Sequence, residues 1–285
     1  MQNAEFIKSL TGHSGCGLNL YKKDDKLFLR KDSGDCSYNR RLKKQYIKQN
    51  KFLLNGIKTP KIYNHGHENG LFYFDMEFLN GITLAEYMSN IKIKEINSLI
   101  GLLFKSLPVE SSKILPDTDA VFKKKIRQIK AKLRPSDSQA LIAVEMLENF
   151  DFSMVPFSYC CGDLTLENIM LDDNKQIYLI DFLDSFYNSW MIDVAKLLQD
   201  LELHWSYRNQ EVDFNLSMRL AVAKEALLEN IAEYENEKDN ICTIYHILLL
   251  NILRIIPYAQ DDKTHLFLKN ALNKIIQTIK QTEKN

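Results

Sequence analysis

The chain lacks a net charge: 37 basic side chains are matched by 37 acidic ones, so no long-range field argues for a nucleic-acid or membrane partner. Cysteine is scarce and odd in number, five in all with an adjacent pair at Cys160 and Cys161. That count does not suit a secreted disulfide framework and points to a reducing, cytoplasmic compartment. The first residues, Met1 to Glu5, have neither the basic start nor the apolar run of a signal peptide. The strongest apolar run, Ile244 to Ile256, is interrupted by His246, Asn251 and Arg254, so no bilayer-spanning segment is expected. What is present is 285 residues at 45% hydrophobic content, enough for a large core in one big domain or two lobes. With no field to attract a macromolecule, a small-molecule client is favoured.

Two stretches carry chemistry. Cys160 to Met170 places Asp163 and Asn168 behind an apolar segment, and Gln176 to Phe182 delivers Asp181 from the end of an apolar strand. Asp181 and Asn168 offer the hard oxygen donors that Mg²⁺ prefers, while Asp163 remains to accept a proton or orient an alcohol. An isolated D-x-x-x-x-N occurs often by chance in surface turns, and Asp172 to Lys175 shows how readily this chain makes polar turns. Its combination with Asp181 and a later Asp193, in that order, is what carries weight.

In these residues the chain resembles the aminoglycoside phosphotransferase and choline kinase family of protein-kinase-like small-molecule kinases. That family's signature, H-G-D-x-x-x-x-N, is followed by a strand ending in I-D-F and by a further Asp before an apolar helix. The matches are Gly162, Asp163, Asn168, Ile180-Asp181-Phe182, Asp193 and Ala195. Cys161 stands where the family usually has His, a support of the loop and not a participant in transfer.

The resemblance implies a two-lobed α+β fold of the protein-kinase type. Residues 1–79 would form a small antiparallel-sheet lobe that binds nucleotide, and 80–285 a large, mainly helical lobe for catalysis and acceptor binding. It further implies transfer of the γ-phosphoryl group of ATP or GTP, with Mg²⁺, to the hydroxyl of a small molecule. Asp163 would be catalytic, Asn168 and Asp181 metal ligands, and Cys161 and Asp193 structural supports. The surroundings of Leu164 to Glu167 and Leu183 to Ser185 look like those of bacterial sugar or capsule-pathway members. A pseudokinase is the alternative, which Cys161 and an absent helix Glu would support and the intact Asp163, Asn168 and Asp181 oppose. A protein kinase is disfavoured by the short segment from Phe182 to Asp193, which no A-P-E follows.

The N-terminal region adds nucleotide-binding candidates. Thr11 to Gly17 reads as a glycine-rich hairpin in which Gly15 and Gly17 would let backbone N–H groups approach phosphate, although a plain turn explains the glycines equally well. On the strand Leu27 to Lys31, Arg30 and Lys31 must face opposite ways. The family's phosphate-binding cation is Lys in most members and Arg in the choline-kinase branch; Arg30 is favoured by that analogy, with Lys31 as rival. The following helix, Tyr38 to Leu54, has a basic outer face and no Glu to pair with the strand cation, leaving Gln45 and Gln49 as the nearest substitutes. Glu68-Asn69-Gly70 makes a hairpin turn. His65 and His67 have no partner pattern for a metal. Met76 to Gly81 resembles the hinge whose backbone, at Glu77 and Phe78, would bind adenine. Apolar stripes beyond Gly81 predict a helical region. In it, Asp184, Trp205 and Tyr207 are acceptor-site candidates, with a rim or core role equally open for the two aromatics.

Overall fold

The structure, a computed structural model, describes residues 4–10, 15–234 and 237–283. Backbone contacts group the chain into two compact units, one of residues 1–83 with 168–184 and the other of 84–167 with 185–285. The boundary read from the sequence is a single cut after residue 79. In the structure, 168–184 also belongs with the N-terminal strands.

The first unit is built on five antiparallel strands: β1 (Glu5–Ser9), β2 (Cys16–Lys23), β3 (Lys26–Ser33), β4 (Ile62–Glu68) and β5 (Leu71–Glu77), in the order β1-β2-β3-β5-β4. Two of its hairpins turn through consecutive left-handed residues, Asp24 and Asp25 in one and Asn69 and Gly70 in the other, which matches the right-handed twist of the strands. Helix α1 (Asn39–Lys51) places Leu42 against Phe72, Phe74 and Met76 to form a small core. Tyr46 on the same helix stacks on His65 with ring centroids 4.5 Å apart, and His67 meets the edge of Phe72. These two histidines therefore pack on aromatic rings. A second, three-stranded antiparallel sheet joins β6 (Gly81–Thr83), β7 (Ile169–Asp172) and β8 (Ile177–Leu179).

The second unit is helical: α2 (Leu84–Met88), α3 (Ile93–Ser106), α4 (Thr118–Lys130), α5 (Ser138–Asn149), α6 (Trp190–Leu201), α7 (Phe214–Ala232), α8 (Glu237–Leu253) and α9 (Asp262–Thr282). The predicted stripes largely point inward, as Leu268, Leu272, Ile275 and Ile279 do on α9. On α3 the buried apolar positions are Ile96, Ile100, Leu103 and Phe104. One sequence expectation is corrected. Residues Lys238–Tyr258 are long and apolar enough to cross a membrane by length and composition, with a mean hydropathy of 1.6. The reason is burial: α8 packs against α6 and α9, and everything from Ile244 to Leu253 is buried, so its apolar character continues around the helix. His246 is accommodated there by stacking on Phe150 at 3.8 Å and by its Nδ1 lying 2.9 Å from the Cys242 carbonyl.

Candidate active site

In the first unit, Lys31 extends from β3 to place Nζ 2.5 Å from Asp181 Oδ1. Asp181 sits just beyond β8 in the left-handed region, at φ +53, a conformation that costs a residue other than glycine about 1–2 kcal/mol. Such an outlier persists where its surroundings over-determine it. Here the Ile180 N–H donates to the Asn168 carbonyl at 2.9 Å, and Phe182 is buried against the edge of Phe52. These contacts fix the residues on either side of the carboxylate. The same bond brings the backbone of Asn168 beside the turn that carries Asp181.

Strand alternation sends Arg30 the other way. Its Nε and Nη2 donate to Asp75 at 2.7 and 3.1 Å, its Nη1 donates to Glu68 at 2.7 Å, and its guanidinium lies 3.9 Å from the Tyr73 ring centroid. Arg30, favoured from the sequence as the phosphate-binding cation, is thus engaged on the face opposite Lys31. Its charge is consumed on a face where Asp75 is wholly buried, and Lys31 is the cation that meets Asp181. Of the two glutamines, Gln45 donates through Nε2 to the Tyr38 hydroxyl while its buried Oε1 accepts no hydrogen bond, and Gln49 donates to the Pro60 carbonyl. Helix α1 also contributes lysines: Lys48 donates to the Leu183 carbonyl at 3.0 Å and Lys44 lies 3.3 Å from Asp184. The basic face is thus partly docked on the segment after Asp181, and Asp184, an acceptor-site candidate, is paired within this unit.

The nucleotide-binding candidates are placed unevenly. Gly15 accepts a bond from the Gly34 N–H at 3.2 Å, and a side chain on Gly15 would meet nothing within 4 Å. At Gly17 a Cβ would come 2.6 Å from an Asp32 carboxylate oxygen, so a side chain there would make its cross-strand neighbour shift. Residues 11–14 of the hairpin lie outside the described residues. The Glu77 N–H already donates to the Lys61 carbonyl at 2.8 Å, so a hinge contact from Glu77 would have to come from its carbonyl. Phe78 follows β5 directly and is half-buried.

In the second unit, α6 organises the loop that carries Asp163. All twelve residues of this helix are buried, and Ser189 caps it by accepting from the Met191 N–H. Asp193 lies in the first turn of the helix. Its carboxylate accepts from the N–H groups of Cys161 and Gly162 at 2.8 and 2.7 Å. Gly162 stands at φ +86, which lets two successive N–H groups converge on one carboxylate. Cys161 is buried and its Sγ lies 3.2 Å from Asp193 Oδ1. Burial and the neighbouring carboxylate push its thiol well above the usual range, so it supports the loop as a neutral weak donor.

Two further α6 residues hold the same loop and were missed from the sequence. Lys196 Nζ lies 3.0 Å from Asp163 Oδ1. Asp200 accepts from the Leu166 N–H at 2.5 Å and from the Ser206 N–H at 2.7 Å. The signal was available: Asp193, Lys196 and Asp200 are spaced i, i+3, i+7, one face of a helix. Of the remaining acceptor candidates, Tyr207 is a core residue, 2% exposed, with its hydroxyl donating to the Ala85 carbonyl at 2.8 Å. Trp205 has the Arg208 guanidinium 4.4 Å from its ring centroid and Phe267 at its edge.

A model of the phosphotransferase enzyme family matches residues 21–234. The chain belongs to that family. Among solved structures it resembles the aminoglycoside phosphotransferase APH(4)-Ia, with a TM-score of 0.61 at 11% identity over 97% of this chain and 93% of that one. A thermostable mutant of the same enzyme, in ternary complex with AMP-PNP and hygromycin B, gives 0.62 at 12% identity over 98% and 94%. The choline kinase LicA from Streptococcus pneumoniae gives 0.56 at 14% identity over 96% and 94%. At these identities the structural likeness is one of fold, the two-part α+β architecture of protein-kinase-like enzymes. No curated protein sequence matches the chain. Membership of the family supports phosphotransferase activity on a small molecule.

Proposed function

We propose that the protein transfers the γ-phosphoryl group of ATP or GTP to a hydroxyl of a small molecule, a sugar or an amino alcohol, in the cytoplasm and in the service of surface-polysaccharide synthesis. The observation that carries this reading is the meeting of Lys31 with Asp181 beside Asn168. A cation suited to polyphosphate and two hard oxygen donors are gathered on one unit by residues 150 apart in sequence.

The donor set fits Mg²⁺. Among the described residues no cluster of three or more His, Cys, Asp or Glu could hold a metal by itself. Mg²⁺ commonly takes one or two protein oxygens and completes its shell with phosphate oxygens and water. Asn168 and Asp181 would hold it, and when bound it neutralises charge on the phosphates. Lys31 would then leave Asp181 for the α- and β-phosphates.

Asp163 receives the acceptor's hydroxyl proton as the oxygen–phosphorus bond forms. The bond from the γ-phosphorus to the β,γ-bridging oxygen breaks, and the nucleoside diphosphate leaves with that electron pair. Asp193 and Asp200 hold the loop's backbone, so the position of Asp163 is set before substrate arrives.

The test is a phosphotransfer screen with ATP, GTP and a panel of sugars and amino alcohols, run with wild type, Asp163→Asn and Asp181→Asn. Wild type is expected to phosphorylate at least one acceptor. Asp181→Asn is expected to lose transfer with an unchanged far-UV spectrum, and Asp163→Asn to lose kcat with nucleotide affinity kept. Nucleotide binding by wild type without transfer to any acceptor would identify a non-transferring module instead.

A further inference from the structure

A lysine inside a helix buried on every side is costly unless its charge is met. Lys196 is only 9% exposed. Its ammonium has Asp163 Oδ1 at 3.0 Å and donates to Gln199 Oε1 at 3.2 Å. Gln199 is wholly buried, and its Nε2 has no hydrogen-bond partner. Rotating that amide would turn its NH₂ against the ammonium, donor against donor. Lys196 therefore dictates how Gln199 lies, at the cost of an unsatisfied amide.

The three polar residues on this face of α6 divide the loop between them. Asp193 takes the N–H groups of Cys161 and Gly162, and Asp200 takes that of Leu166. Both act on backbone N–H groups, Asp193 also meeting the Cys161 thiol. Lys196, between them, acts on the side chain of Asp163, whose side-chain exposure of 27% against 11% for Lys196 puts the cation behind and the carboxylate in front. Anchoring the loop alone would be served by the two aspartates, with an apolar residue at 196 in keeping with its neighbours Ala195 and Leu197.

We propose that Lys196 is a positioning residue for Asp163. It fixes the carboxylate's orientation through Oδ1 so that the acceptor hydroxyl meets Asp163 in one geometry, and Gln199 fixes Lys196 in turn. This rests on the role given to Asp163 above. Lys196 neither takes nor gives the transferred proton; when Asp163 is protonated, the ammonium keeps Gln199 Oε1 as its acceptor.

The experiment compares wild type, Lys196→Met, Lys196→Gln, Asp163→Asn and the Lys196→Met/Asp163→Asn double variant. It measures kcat, nucleotide affinity by calorimetry and amide hydrogen exchange across the loop. Lys196→Met is expected to lower kcat by about thirtyfold or more, with nucleotide Kd within about threefold of wild type. Lys196→Gln, which keeps a donor, is expected to lose less, about fivefold to tenfold. Added to Asp163→Asn, Lys196→Met should cost under about threefold more, because both changes disable one unit. Exchange should quicken at residues 163–165, while the amides held by Asp193 and Asp200 stay protected.

A Lys196→Met kcat equal to wild type overturns the proposal, and so does a loss that multiplies in full onto Asp163→Asn. If Lys196→Met does not fold, Lys196→Gln decides, and a wild-type kcat in that variant is the overturning result. If wild type neither transfers nor hydrolyses the γ-phosphoryl group, the phosphotransfer reading is what has failed. Exchange alone then judges Lys196, and unchanged protection at 163–165 in its variants overturns the positioning role.

Discussion

Replacing Asp200 by Asn tests the far end of the loop. The carboxylate is wholly buried and accepts one backbone N–H on each oxygen, from Leu166 and from Ser206. Burial, opposed by those bonds, lifts its pKa from 3.8 to about 6. The folded value lies above the unfolded one, so the native state holds the proton more tightly, and this contribution to stability is lost as pH rises through that window. Between about pH 5 and about pH 7 the loss is roughly 1.3 kcal/mol. Asp200→Asn has no such proton. It also offers one acceptor oxygen where two N–H groups converge, and the N–H left facing an NH₂ costs about 1–3 kcal/mol. Near neutral pH, relief of a buried charge offsets part of that cost. Near pH 5 the wild type carries its proton and no relief remains. The stability gap between wild type and variant should therefore be wider near pH 5 than near pH 7 by roughly 1.3 kcal/mol. Urea unfolding followed by far-UV circular dichroism at the two pH values, at one ionic strength, measures it. A gap that is constant, or wider near pH 7, would refute the assignment of a raised pKa to Asp200.

The two strand cations should separate cleanly: Lys31→Ala raises the nucleotide KM with little effect on stability. Arg30→Ala leaves Asp75 buried without its bidentate partner and costs about 3–5 kcal/mol in unfolding free energy; equal nucleotide KM values for the two variants would undo this division. Cys161, neutral and 2% exposed, should resist thiol reagents in the native protein, and Cys161→Ala should keep kcat within about tenfold, whereas rapid labelling would contradict its burial. Tyr207→Phe removes the bond to the Ala85 carbonyl and should cost about 1 kcal/mol of stability with acceptor KM unchanged. A shifted KM would return Tyr207 to the acceptor site.

What the sequence determined by itself is whatever depends on spacing along a short stretch of chain. The interval from Asp163 to Asn168, the delivery of Asp181 from a strand end and the placing of Asp193 on an apolar helix are local patterns, and they identified the family and the α+β fold before any contact was known. The hairpin turn at Asn69-Gly70 is legible for the same reason, because left-handed backbone selects a few residue types. Alternation on β3 established that Arg30 and Lys31 face apart. It could not say which faced Asp181, since that depends on Asp75 arriving from β5 to claim Arg30. The apolar run of α8 was read from the sequence as too interrupted for a bilayer; that it is buried on all sides depends on its packing partners α6 and α9. Lys196 and Asp200 look in sequence like charged positions on an amphipathic helix. Tertiary structure alone buries α6 on every side, and burial leaves each charge needing a partner, which the loop around Asp163 supplies.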